Sequence, residues 1–101
     1  MSHCAEFVTF TVTGDEHEFR TRREAAIKEV KASHPGLWSV PLLARKSDGS
    51  WVDVWIYDSV DAAHAANADA ENLPAFLAMV SMLADIQIEE TTLSDNTITP
   101  L

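Results

Sequence analysis

Apolar and polar positions alternate with a period of two in four stretches of this chain and recur at helical spacing in three others, so the pattern alone lays out a mixed fold. Along residues 51–58, Trp51, Asp53, Trp55 and Tyr57 share one face of a strand while Val52, Val54 and Ile56 share the other. Neither face suits water, so this strand must be covered on both sides, by helices, by another sheet or by a second copy of itself. Residues 5–13 form a strand rich in β-branched and aromatic side chains, with Phe7, Thr9 and Thr11 on one side and Val8, Phe10 and Val12 on the other. Residues 37–45 form another, in which Pro41 marks an edge or a bulge, and residues 86–93 supply the last. Ser47-Asp48-Gly49-Ser50 has the composition of a hairpin turn, so the strands on either side of it pair antiparallel.

Three helices fill the gaps. The first runs to about Ser33 from an acidic start at Asp15, Glu16 and Glu18, where negative charge favours the positive end of the helix. His17 among these acids suggests a metal site, but acids at a helix start need no metal, and no metal site is assigned. Phe19, Ala26, Ile27 and Val30 make its apolar stripe, and Arg23 sits in the middle of that stripe. A guanidinium there either snorkels to the rim or meets a buried carboxylate, and Asp53 is the partner we expect. His34 falls at the helix end before Pro35-Gly36 and reads as a capping residue. Ser59 caps an alanine-rich helix over residues 60–71, and Pro74 opens a second helical piece over residues 74–84 that buries Phe76, Val80 and Leu83 beside Leu77 and Met79.

Strand, helix, strand, strand, helix, strand is the split βαβ plan: an α+β, ferredoxin-like βαββαβ domain over residues 1–93, followed by a polar tail over residues 94–101. Both helical layers cover one face of a four-stranded antiparallel sheet, and the bare face predicts a homodimer.

Charge changes the picture of partners. All seven Lys and Arg lie between Arg20 and Lys46, whereas residues 47–101 carry ten acids and no base, within a formal net charge of −9. Nucleic acid is not an expected partner, because the basic residues of the first helix are interleaved with Glu18, Glu24 and Glu29 and read as a solvated face with i,i+4 pairs. The single cysteine, Cys4, allows no intrachain disulfide. The start of the chain lacks the basic-then-apolar order of a signal peptide, and no apolar run is long enough for a bilayer, so no membrane partner and a cytoplasmic location are expected.

The third strand ends in an aromatic, an acid and a serine, Tyr57-Asp58-Ser59, and an alanine-rich helix with a break follows. In this order of elements and this signature the chain resembles the dimeric α+β barrel superfamily, and in particular the antibiotic biosynthesis monooxygenase-like proteins. The resemblance implies a dimeric barrel with a pocket between sheet and helices, lined by the strand face that holds Trp51, Asp53, Trp55 and Tyr57. It implies small-molecule binding and, as one activity, cofactor-free oxygenation of aromatic polyketide- or quinol-like compounds. Relatives often carry tryptophan where Tyr57 stands and histidine where Ala66 stands, and haem-degrading relatives need an asparagine near Val8. Haem cleavage is therefore not expected, and no cofactor is assigned. His64 matches the histidine of muconolactone isomerase-like relatives, but its position on the helix turns it away from the alanine face of Ala62, Ala63, Ala66 and Ala70.

Within that pocket, Asp53 is the expected base, with Arg23 or Asn67 facing a developing oxyanion, since every other acid reads as exposed. Trp51, Trp55, Tyr57 and Asn67 are the expected contacts for a planar aromatic ligand. A non-catalytic ligand-binding or scaffold protein and an isomerase are the competing readings.

Overall fold

A computed structural model describes residues 2–94, 97 and 98. Strand β1 (His3–Val12) leads to helix α1 (Glu16–Ser33), strands β2 (Leu37–Arg45) and β3 (Trp51–Tyr57), helix α2 (Val60–Asp69), a 3-10 turn at Ala70–Asn72, helix α3 (Pro74–Val80) and strand β4 (Leu83–Leu93). The sheet order is β2-β3-β1-β4, and each neighbouring pair is antiparallel. This is the ferredoxin-like α+β plan that the element order predicts.

The two sheet faces sort as the alternation requires. Cys4, Phe10, Trp51, Trp55 and Tyr57 enter the main core with Phe19, Ala26 and Val30 of α1 and Ala63 and Ala66 of α2. Ala5, Val54 and Ile56 form a separate small cluster on the opposite face. There Phe7 and Leu42, which flank Val54 across the strands, remain 40% and 46% exposed.

Caps fix the helix ends. The Asp15 carboxylate accepts from the backbone N–H groups of His17 and Glu18, each at 3.3 Å, and so occupies donors that the first turn leaves free. His34 ends α1 and its Nε2 lies 2.8 Å from Asp69 Oδ2 at the end of α2. Ser59 Oγ accepts from Ala62 N at 3.0 Å. For α3 the cap comes from another helix: Glu29 of α1 accepts from Ala75 N and Phe76 N at 3.1 and 2.9 Å.

Three boundaries depart from the sequence pattern. β1 starts at His3 rather than residue 5, because β4 is long enough to pair with it, His3 opposite Leu93. The alanine-rich helix tightens into the 3-10 turn after Asp69. α3 stops at Val80, and Leu83, which the apolar spacing puts on that helix, belongs to β4 opposite Val12. Thr13 secures this switch with its backbone N–H and hydroxyl, both donated to Met82 O at 2.7 and 3.0 Å. The polar tail falls partly on residues 95, 96 and 99–101, outside the described residues.

Register breaks occur at both edges of the sheet. On β2 there are two, between Leu37 and Ser39 and between Ser39 and Leu42, and the second contains Pro41, which places the proline on an edge strand at a bulge. On β4 the pairing shifts by one residue: Thr11 faces Ala84 but Thr9 faces Gln87, so Asp85 and Ile86 together oppose Phe10. Asp85 takes φ 54, the left-handed conformation that such a bulge uses.

Candidate functional site

Arg23 and Asp53 meet as the apolar stripe predicts. The carboxylate of Asp53, 2% exposed, accepts from Arg23 Nε at 2.9 Å and from Nη2 at 2.8 Å. A two-pronged pair of this kind holds both oxygens and leaves no unpaired charge in the core.

Beyond this pair, sheet and helices enclose a cavity of about 450 Å³. Phe10 and Trp55 of the sheet, Phe76 and Met79 of α3, and Leu83, Ile86 and Ile88 of β4 give it an apolar wall. The polar groups in that wall are Glu6, Asp53, Tyr57 and Asn67. Trp55 meets the edge of Phe76 at a ring separation of 6.1 Å and an angle of 86°. Ile86 and Ile88, 41% and 56% exposed, stand where the cavity opens along the β4 edge.

Asp53, Trp55, Tyr57 and Asn67 line the cavity, whereas Trp51 and Arg23 stand apart from it. Trp51 occupies the far end of β3, packed against Phe19 at 6.1 Å and beneath the Arg45 guanidinium at 5.4 Å, so it belongs to the core there. Arg23 stands behind Asp53 and is not among the lining residues. His64 is also outside the lining; it is largely exposed, with Nε2 2.6 Å from Glu90 Oε1.

One acid is buried against the sequence reading, which takes every acid but Asp53 as exposed. Glu6 is only 5% exposed, and its Oε2 accepts from Asn67 Nδ2 at 2.7 Å. The signal was present in the alternation of β1: Glu6 shares a face with Cys4 and Phe10, both core residues, and is flanked by Trp55 on β3 and Glu90 on β4. Burial pushes its carboxyl above the usual glutamate range, Asn67 pulls it back, Glu90 raises it and His64 lowers it. Burial, with help from Glu6 and Cys4, also pushes the Tyr57 phenol well up, so Tyr57 stays protonated and can donate a hydrogen bond at neutral pH. Burial likewise raises the Cys4 thiol, which therefore stays a thiol.

Among the described residues no cluster of His, Cys, Asp and Glu could hold a metal ion, and no helix is long and apolar enough to cross a membrane.

No family model and no curated protein matches the chain. Solved structures do. SnoaB, a cofactor-independent oxygenase from Streptomyces nogalater, is 22% identical over 100% of both chains, with a TM-score of 0.70. The monooxygenase from the gene ActVA-Orf6 of Streptomyces coelicolor, solved in complex with Nanaomycin D, is 20% identical over 97% of this chain and 92% of that one, with a TM-score of 0.68. A Caulobacter crescentus protein provisionally described as an antibiotic biosynthesis monooxygenase is 22% identical over 89% of this chain and 88% of that one, with a TM-score of 0.70. With likeness along nearly the whole length and identity this low, what is shared is the architecture: the chain has the fold of the antibiotic biosynthesis monooxygenase-like proteins.

Proposed function

We propose that the cavity binds a neutral, planar, polycyclic phenol or quinone and that the protein acts on such compounds as a cofactor-independent monooxygenase. The observation that carries this is the largely apolar cavity of about 450 Å³ with Trp55 in its wall and a few converging polar groups, the usual make-up of a small-molecule site. An indole face attracts flat aromatic rings by stacking, worth about 0.5 to 1.5 kcal/mol per pair beyond area burial. Tyr57 can donate to a ligand carbonyl. Asp53 brings no net charge, since Arg23 balances it, but Glu6 does, and a second anion beside it would be repelled.

Oxygenation without a cofactor asks the substrate to become an electron-rich anion in a dry site and to react with dioxygen itself. For an anthrone the balance closes with dioxygen alone: the ring methylene becomes a carbonyl and the second oxygen atom leaves as water. The oxygenase and monooxygenase names of the structural neighbours support this reading. A non-catalytic binding protein would use the same cavity. The isomerase reading draws no support from His64, which stands outside the lining.

Titrating the protein with a dihydroxyanthraquinone should quench tryptophan fluorescence, and Trp55→Ala should weaken binding by more than tenfold while leaving the fold intact. Unchanged affinity in that variant would make Trp55 a core residue only. Oxygen uptake with dithranol, a dihydroxyanthrone, then separates an oxygenase from a binding protein.

A further inference from the structure

We propose that Glu6 is the catalytic base of this cavity, taking a proton from the bound aromatic, and that Asn67 is the residue that positions it. The inference rests on the oxygenase reading given above and deepens it.

Two carboxylates line the cavity, and their surroundings give them different tasks. Both oxygens of Asp53 are held by Arg23, at 2.8 and 2.9 Å. Glu6 is held by one oxygen only, Oε2 to Asn67 Nδ2 at 2.7 Å; among the described residues Oε1 has no donor. Since no buried side-chain oxygen among them lacks a partner, Oε1 keeps accessible surface, on a residue that lines the cavity. Glu6 also pairs across the sheet with Trp55, the ring on which a flat ligand would stack, so both side chains share the sheet face that such a ligand would cover. Geometry of this kind, a free oxygen within reach of the bound molecule, is the first requirement of a general base, and a proton affinity above that of an ordinary carboxylate is the second.

The step is a proton transfer. A C–H bond of the anthrone methylene breaks, its proton goes to Glu6 Oε1, and the electron pair stays on the substrate, delocalised as an enolate that dioxygen then oxidises. The groups around Glu6 are Cys4 of β1, Tyr57 of β3, Asn67 and His64 of α2, and Glu90 of β4. Glu90 faces Glu6 across the β1–β4 pairing, and its Oε1 lies 2.6 Å from Nε2 of the exposed His64.

The test separates proton removal from oxygenation. Dithranol is held under argon in deuterium oxide, and exchange of its methylene hydrogens is followed by NMR; binding of the dihydroxyanthraquinone is measured in parallel. Wild-type protein should accelerate exchange, and Glu6→Gln, which can still accept from Asn67, should bind the quinone but lose about a hundredfold or more of that acceleration. Asn67→Ala should move the midpoint of the pH–rate profile upward, because the hydrogen bond that lowers Glu6 is gone; a merely structural role would leave the midpoint in place. If the amide variant does not fold, Glu6→Asp keeps the charge and withdraws it by a methylene, and should exchange at least about tenfold more slowly. Exchange at the wild-type rate in either folded variant overturns the assignment while the oxygenase reading survives. Quinone binding without any acceleration by the wild type also overturns it, and a wild type that neither binds nor accelerates defeats the function proposed above together with it.

Discussion

Glu6 illustrates how a single residue can cost stability where it serves chemistry. Its carboxyl is raised chiefly by burial, so the folded protein holds that proton more tightly than the unfolded chain does. The stability linked to it is therefore fully present below the ordinary glutamate value of about 4.3 and is lost as pH rises through the raised folded value. Glu6→Gln should accordingly melt at a higher temperature than wild type at neutral pH, with the gain shrinking as pH falls towards 4; a thermal scan across that range checks it, and a lower Tm at neutral pH would contradict the burial argument. The Arg23–Asp53 pair was legible because a cation centred on an apolar helix stripe and an acid between two tryptophans have few other partners. Glu6 was equally legible in principle, since it shares the strand face of Phe10, but two further neighbours on that strand are threonines on the opposite face, and a strand with polar residues on either side does not declare which face is inside. Trp51 misleads for the converse reason. It shares a face with Trp55, but alternation fixes only the face, and whether a residue meets the cavity or the packing of Phe19 depends on how far along the strand it sits.

At the level of elements, α3 has only seven residues and owes its start to a neighbour. Glu29 reaches from α1 to accept two backbone N–H groups of its first turn, a carboxylate at the positive end of a helix. Glu29→Ala should destabilise the protein by about 1 to 2 kcal/mol in urea unfolding, whereas Glu29→Gln, still an acceptor, should lose less; equal losses would mean that charge, not capping, matters. No local pattern announces such a cap, because the acceptor lies more than forty residues upstream of the donors. Strand positions 37–45 and 51–57 and the length of α1 follow from alternation, a proline and a capping acid, all local signals. The passage from α3 to β4 does not, since Val80 and Leu83 have helical spacing and only the pairing of Leu83 with Val12, a contact distant in sequence, decides the outcome.

For the molecule as a whole, the outer sheet face bears on assembly. Phe7 and Leu42 lie exposed on either side of Val54, and we propose that a second copy covers them in a face-to-face homodimer. Val54→Asp should place an unpaired charge in that interface and abolish the dimer, with loss of folding rather than a stable monomer; sedimentation of a folded wild-type monomer would refute it. That two-faced design depends on the displaced residue at Asp85. Beyond it, Ile86, Ile88 and Glu90 stand on the same side as Val8 and Glu6; in the pairing of Leu83 and Ala84 carried on without a shift, Gln87 and Glu89 would take their place. One inserted residue thus acts as a sorting device, assigning one alternating sequence to two destinations. Drawing the strand straight with every residue kept would deliver Gln87 and Glu89 to the chamber and Ile86 and Ile88 to the outer sheet face, whereas deleting Asp85 itself would close the ladder and leave both isoleucines where they are, so the extra residue is what keeps the chamber apolar.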